Sequence, residues 1–544
     1  MVEEWDMIVV GAGWFGLAAA KVYHEFHPNE KLLVLEAEGS VGGTWSAGRI
    51  YPGLKSNNLL NSYEYPDLPM DEATYGVKEN CHIPGAVLHR YLTDFAKKFG
   101  VFERTRFHTR VVELSESGQK GWALKVITSN NESTLTTKKI ILATGLTSTP
   151  NIPQYPGLEH FTNPVFHAKD FCRNGDTVHM AKRVTVVGGA KSAYDVSWAY
   201  ANSGAEVDLV IRPTGNGPVW LCPPWVMGGA KKLEKLLHTR WMTWFSPCPW
   251  GGEDGFSWVR NFLHGTVVGR FIVKQFWGGL ADDVVKLNNY DAHEETKKLR
   301  PWNEPFWIGS GLSIHNYDSN FWDMVKKGQI KVHIADIDHL SGDPDTVHLD
   351  NGESFPADFL IMATGWKKEP QCNSSLDLVK QLATDADGEI LKRFPRLADQ
   401  PSLPFKPKND PFRLYRFMVP PTRINDRNIA FAGLVSSVST SICALAQGLW
   451  ISAYLDGQLD RLAGSEDEVT QEVMIHTQWG RWRHPTGYGA SLPDFVFDAI
   501  PYVDLMLRDL GLEINRKPSF WKHVTEPYAP PDYKGLVDEW KASH

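Results

Sequence analysis

Two glycine loops are the residues of this chain best suited to chemistry. The first is Gly11-Ala12-Gly13-Trp14-Phe15-Gly16, directly after the apolar run Met7 to Val10. The second is Gly188-Gly189-Ala190-Lys191-Ser192-Ala193, after Val184 to Val187. In such a loop the first glycine permits a tight turn and the second lets the backbone approach a pyrophosphate. The third lets a helix pack closely on the strand, and the helix N-terminus offers free N–H groups and a positive dipole end to the phosphates. One such loop makes a nucleotide binder. Two in one chain imply that electrons pass from one bound cofactor to another.

The residue ending the next strand distinguishes the two sites. Glu36 lies about 20 residues past Gly16, where a carboxylate accepts ribose hydroxyls and repels a 2′-phosphate, so this loop is read as holding FAD or NAD rather than NADP. After the second loop, the strand Val207 to Ile211 ends in Arg212. A guanidinium there can grip a 2′-phosphate bidentately, and Lys191 adds charge, which points to NADPH. Here Ala193 takes the place of the third glycine and still packs closely. Gly42-Gly43-Thr44-Trp45 follows Glu36 at short range. Gly42 and Gly43 let the backbone lie against a flat ring and Thr44 can donate to it; alone, the stretch is equally any turn before a core tryptophan, Trp45.

The elements that must position these residues read as a doubly wound α/β protein. A strand at 7–10, an alanine-rich helix at 17–26 and a strand at 31–35 form one βαβ unit; a second spans roughly 183–211. Residues 108–128 alternate as antiparallel strands. Two apolar strands end in the triplets Ala143-Thr144-Gly145 and Ala363-Thr364-Gly365. Residues 216–306 break the pattern: seven of the 21 tryptophans fall between Trp220 and Trp277. This stretch is read as a mostly helical insertion that lines a substrate tunnel, rests on a membrane surface or, most simply, packs as an extra lobe. The predicted layout is a first dinucleotide-binding domain, for FAD or NAD, over 1–170, an NADP-binding domain over 171–370 that carries the insertion, and a return segment of the first domain with a C-terminal tail over 371–544. The tail beyond 485 is expected to wrap the surface.

Composition limits the alternatives. A chain of 544 residues, 42% hydrophobic and 22% charged, has the balance of a globular protein. The net charge of −8 argues against nucleic acid as a partner. The six cysteines include no Cys-x-x-Cys pair, which excludes a redox disulfide and a cysteine-ligated zinc; no metal site is expected. The scattered thiols and the lack of a leader before the first strand predict a cytoplasmic protein, in which the sequons at Asn131 and Asn373 have no role. Ile429 to Leu455 is uncharged, but its serines mark strand, turn and buried helix rather than a membrane span.

Taken together, Gly11-x-Gly13-x-x-Gly16, Gly42-Gly43-Thr44-Trp45, Tyr51-Pro52-Gly53, both Ala-Thr-Gly triplets and the second glycine loop with Ser192 resemble the class B flavoprotein monooxygenases: the flavin-containing monooxygenases and their Baeyer–Villiger relatives. The resemblance implies FAD in the first fold, NADPH in the second, and a flavin C4a-hydroperoxide that delivers one atom of O2 to a small organic substrate. It implies that Gln447 lies on a helix near the flavin, with Ser439, Thr440 and Ser441 capping that helix. The family fingerprint between the domains reads here Phe161-Thr162-Asn163-Pro164-Val165-Phe166-His167, with Asn163 in place of glycine. Asn163 is expected to keep the turn by tolerating a left-handed backbone. His167 either joins the domains or is a loop histidine satisfied by backbone.

The resemblance also bears on subfamily. Baeyer–Villiger members carry an aspartate where Asn57 stands, and an arginine where Gly309 to Ile314 has no basic residue. Flavin-containing monooxygenases have an asparagine after Ser/Thr, as in Ser56-Asn57. This favours N-, S- or C-oxygenation with Asn57 as the catalytic residue beside the peroxide, and leaves Baeyer–Villiger oxygenation of a ketone as the alternative. A second reading of Asn57 and Asn58 is that one of them caps a helix over 58–63.

Overall fold

The computed structural model describes residues 3–118, 121–368, 373–374, 386–406, 409, 411–462 and 465–544. Cys372 and part of the Asn373 sequon lie outside them.

Both βαβ units form as the periodicity predicts. In the first, β1 (Glu3–Val10), α1 (Trp14–Phe26) and β2 (Leu32–Leu35) follow one another, and β1 and β2 pair in parallel. The next segment, β3 (Lys55–Leu59), is a strand, so the helix expected over 58–63 does not exist and neither asparagine caps one. Three antiparallel strands follow: β4 (Thr109–Ser117), β5 (Gly121–Thr128) and β6 (Asn131–Leu142). The C-terminal half of β6 lies parallel to β1 and completes the first sheet's core.

The second sheet is all parallel. It contains β7 (Val165–His167), β8 (Arg183–Val187), which feeds α2 (Lys191–Asn202), and β9 (Glu206–Ile211). The insertion then contributes α3 (Leu233–Leu237), α4 (Ser257–Gly265) and α5 (Val267–Asn288). After β10 (Leu312–Ile314), the sheet is completed by β11 (Ile330–Ile334) and β12 (Phe359–Met362) in the order β11-β9-β8-β12-β7.

The chain returns to the first sheet at Asn373–Ser374, parallel to β4, and again with β13 (Ile429–Phe431), parallel to β6. Then come β14 (Ser436–Ser437), α6 (Thr440–Asp456), α7 (Glu466–Arg483), β15 (Asp494–Phe495), α8 (Ala499–Asp509) and α9 (Phe520–Thr525). The uncharged stretch at 429–455 is thus strand, turn and buried helix. Its helix α6 crosses α1 closely because both faces are small: a Cβ on Gly448 would meet the Ala18 carbonyl at 3.1 Å.

The tail departs from expectation. Its first part does not wrap the surface: α8 is buried along almost its whole length and belongs to the main hydrophobic core, whereas the segment around α9 is largely exposed. Ile500, Val503 and Leu507 recur at helical spacing, a signal masked by the surrounding prolines. The insertion is mostly helical, and Trp220, Trp250 and Trp277 are buried, as an extra lobe requires; Trp225 and Trp258 are exposed.

Candidate active site

The two glycine loops are built alike. Gly11 donates to Leu35 O and Gly188 to Val210 O, each at the end of the neighbouring strand. Both adopt positive φ, +105° and +141°. A Cβ on Gly11 would stand 2.4 Å from the Ala143 carbonyl oxygen, and one on Gly188 would stand 2.4 Å from that of Ala363. Those alanines open the two Ala-Thr-Gly triplets, so each triplet is the backbone on which a glycine turn rests. Gly16 is equally obligatory, since its Cβ would fall 1.9 Å from Gly11 O. Helix caps align the loops: Gly13 precedes α1 and Ala190 precedes α2. The second loop therefore also lacks the middle glycine, and a methyl stands where the backbone would approach a phosphate.

A cleft of about 440 Å³ opens over the first loop. Its wall includes Gly11, Gly13, Glu36, Gly43, Thr44, Trp45, Thr144 and Gly145, and the loop before α6 closes it with Ser437 and Thr440. Eight of the sequence-predicted residues therefore meet in one place. Glu36 accepts from Ala12 N at 2.8 Å and from Glu38 N at 2.9 Å. Burial raises its carboxyl above the ordinary value, and those two N–H groups oppose the rise. Trp45 donates from Nε1 to Tyr63 OH at 3.2 Å, which fixes the turn. Arg49, Arg110 and Lys169 also line the cleft, and no motif announced them. The free N–H groups of α1, three cations and the close approach of Gly13 to Gly43 suit an anionic dinucleotide.

Four predicted residues do other work. Gln447 is fully buried and does not line the cleft. Its Oε1 accepts from Gly433 N at 2.8 Å and its Nε2 donates to Tyr502 OH at 2.8 Å, so it braces the cleft-lining Gly433 turn against α8. Thr364 lines neither cleft; its hydroxyl donates to Asn151 O at 2.6 Å and stitches the connector to the second sheet. Lys191 points inward and bonds Asn316 Oδ1 at 2.8 Å, Tyr317 OH at 3.0 Å and Asp195. Tyr51 of Tyr-Pro-Gly donates to the same Asp195 at 3.0 Å, so Lys191 belongs to an interdomain clasp. Asn57 is exposed on β3 outside the cleft lining, with Nδ2 donating to Ser313 Oγ at 3.2 Å. Its neighbour Asn58 is the better connected: Nδ2 reaches Val438 O, just before α6, at 2.9 Å and Glu234 Oε1 at 2.7 Å. Glu234, from the insertion, also accepts from Leu59 N at 2.6 Å and from Ser62, which locks β3.

The remaining expectations resolve as follows. Ser439 precedes α6 as predicted, but neither it nor Ser441 makes a capping hydrogen bond with its side chain. Asn163 is not left-handed; its side chain instead donates to Ala357 O at 2.9 Å. His167 is buried on β7, with Nε2 facing Gly365 O at 3.1 Å and Nδ1 accepting from Lys169 N at 3.0 Å. Burial lowers its pKa and keeps the ring neutral, and its partners are backbone, as the plainer reading had it.

Beyond the end of β9 lies a second cleft of about 330 Å³, lined by Arg212, Thr214, Lys368, Lys406, Tyr488 and neighbours. Three cations on one wall suit a phosphate. Ser192 is exposed in the first turn of α2, while Gly188 lies in the turn behind it. The linings of the two clefts touch: Lys368 Nζ of the second donates to Leu146 O of the first at 3.2 Å.

This geometry sits in a chain with informative relatives. An FAD-dependent monooxygenase of Aspergillus nomiae is 33% identical over 99% of this chain and 98% of its own length. The chain belongs to the FAD-dependent monooxygenases. Residues 8–223 match the pyridine nucleotide-disulphide oxidoreductase family model. The five described cysteines are free. The open crystal structure of cyclohexanone monooxygenase superposes with a TM-score of 0.62 at 14% identity, covering 93% of this chain and 98% of that one. The structure of OTEMO in complex with FAD and NADP gives a TM-score of 0.57 at 18% identity, covering 84% and 85%. This FAD-dependent monooxygenase has the two-nucleotide α/β fold of the class B enzymes. Among the described residues there is no metal-ligating cluster, and no helix is long and apolar enough to cross a membrane.

Proposed function

We propose that this monooxygenase draws its electrons from NADPH bound at the second loop and oxygenates a small organic substrate at nitrogen, sulfur or carbon with O2. The observation that carries the reading is the pair of alike glycine turns, the first opening on its cleft and the second preceding the strand whose following residue, Arg212, lines the second cleft. Bound FAD would supply hydride acceptance and oxygen activation. The chain's own residues hold, orient and shield: Glu36 takes the ribose of FAD, the α6 N-terminus offers its positive end to reduced flavin, and Arg212 with Lys368 and Lys406 takes the NADPH phosphate. Asn57 bonds Ser313 outside the cleft, so of the two asparagines Asn58, whose Nδ2 reaches Val438 O just before α6, is the better placed to hold the loop beside the reacting centre. A ketone substrate is the second reading, supported by the similarity to cyclohexanone monooxygenase and opposed by the absence of a basic residue in Gly309 to Ile314. Product analysis with amines, sulfides and ketones separates the two.

Arg212→Ala tests the coenzyme. Loss of a bidentate charged contact is worth about 2–3 kcal/mol, so KM for NADPH should rise roughly 30- to 150-fold while KM for NADH barely moves. Equal effects on both coenzymes would remove Arg212 from the phosphate site.

Lys368 adds a pH dependence. Burial pushes its ammonium pKa down to about 8. The charge that attracts a phosphate is therefore present below that value and lost as pH rises through it. NADPH affinity should weaken above pH 8, and Lys368→Met should flatten the profile, lowering affinity below that pH and converging with wild type above it. An unchanged profile in the variant would assign the titration elsewhere.

A further inference from the structure

The hairpin formed by α4 and α5 ends in a surface unlike the rest of the molecule. Thr266 joins the helices, and its hydroxyl caps α5 by accepting from Gly269 N at 2.9 Å. Gly269 lets the helices touch, since a Cβ there would lie 2.0 Å from Phe262 O. The tip is therefore fixed by backbone packing. Its outer face nevertheless carries Trp258 (72% exposed), Phe262, Val267 (76%) and Phe271 (62%). The inner face of α5 buries Val273 and Trp277, and its outer face carries exposed apolar side chains interrupted by Arg270 and Lys274. An apolar helix face flanked by cations is the pattern of a helix that lies at a lipid interface.

A distant segment extends the same patch. Helix α9 exposes Phe520 and Trp521 (73%), and the Phe520 ring lies tilted near that of Phe256, which leads into α4, with ring centroids 6.1 Å apart. The charge pattern is one-sided. From Gly255 to Ala281 there is no Asp or Glu, while Arg270 and Lys274 flank the apolar tip, in a chain whose net charge is −8. Arg260, the other cation of the stretch, is buried against Asp254.

We propose that this patch docks the enzyme peripherally on an anionic lipid surface. Aromatic side chains settle at the level of lipid headgroups, and adjacent cations are drawn to anionic ones. The remaining negative charge is repelled, which orients the molecule tip-down. A second copy is the poorer occupant: a two-fold interface through this patch would set Arg270 and Lys274 against their own counterparts. No described helix can cross a bilayer, so the contact is superficial.

Sedimentation of the FAD-loaded full chain with vesicles of equimolar phosphatidylcholine and phosphatidylserine tests the proposal. The wild type should co-sediment, and the double variant Trp258→Ser/Phe271→Ser should remain in solution with its flavin bound. Arg270→Gln/Lys274→Gln, which leaves the apolar tip intact, should weaken partitioning roughly thirtyfold, from two cations near the surface. Three results would overturn the idea: no wild-type co-sedimentation, equal partitioning of wild type and the Ser variant, or equal binding to phosphatidylcholine alone. A lipid-free dimer abolished by the Ser substitutions would instead assign the patch to a second copy.

Discussion

Gly188→Ala is expected to give a protein that stays yellow but is reduced by NADPH at least about a hundredfold more slowly, a misplacement effect of the usual size. The added methyl would press on the Ala363 carbonyl at 2.4 Å, in a backbone with φ +141° that L side chains rarely adopt. The strain is relieved only by moving the β8–α2 turn away from β12. That shifts α2's N-terminus, and with it the proposed pyrophosphate seat. The first sheet shares no strand with this turn, so bound flavin should survive. Gly11→Ala makes the matching clash with Ala143 and should instead give a colourless protein. Flavin content by absorbance and anaerobic stopped-flow reduction read the two effects separately. A Gly188→Ala enzyme reduced at the wild-type rate would detach the second loop from coenzyme binding.

The second large effect is on stability. Asp509 closes α8 and is fully buried. Its carboxylate accepts from Arg416 Nε at 2.6 Å, Arg461 Nε at 2.8 Å and Trp450 Nε1 at 3.0 Å. Asp509→Ala would leave Arg416 buried with only Glu472 as a charged partner. Breaking such a pair by removing one member costs about 3–5 kcal/mol, because the remaining charge stays desolvated. Thermal and denaturant midpoints should both fall. The same helix supplies Tyr502, which holds Gln447 behind the FAD cleft, so flavin should also be released earlier on heating. A variant with wild-type midpoints would mean that the tail is peripheral after all.

Both predictions show where sequence reading succeeds and where it stops. The first cleft was legible because its parts are local: a turn needing positive φ needs glycine, a strand ending in an acid lies one βαβ unit away, and Gly43 to Trp45 follow directly. The triplets were legible as a pattern, though their reason was not. Only the sheet brings Ala143 O under Gly11 and Ala363 O under Gly188. The second site was half legible: Arg212 ends β9 as foreseen, but Lys368 and Lys406 reach the same cleft from segments far along the chain.

The misassignments share a cause. Lys191, Thr364 and Gln447 have the right type and local position, yet each side chain finds a long-range partner that a linear reading cannot supply. The second reading of Asn57 and Asn58, that one of them caps a helix, fails because pairing of Lys55 and Leu59 with the strand His82–Pro84 makes the segment extended. The tail was read as surface because its prolines and aromatics hide the helical spacing of α8.

The chain by itself determined the two nucleotide turns, their order and the identity of the charge after each, since backbone conformation and strand-end chemistry act over a few residues. Tertiary structure alone decided which buried polar groups pair across the domains, that the last helix lies in the core, and that a rigid apolar tip remains uncovered. These depend on burial, and burial is set by which distant segments arrive at the same place.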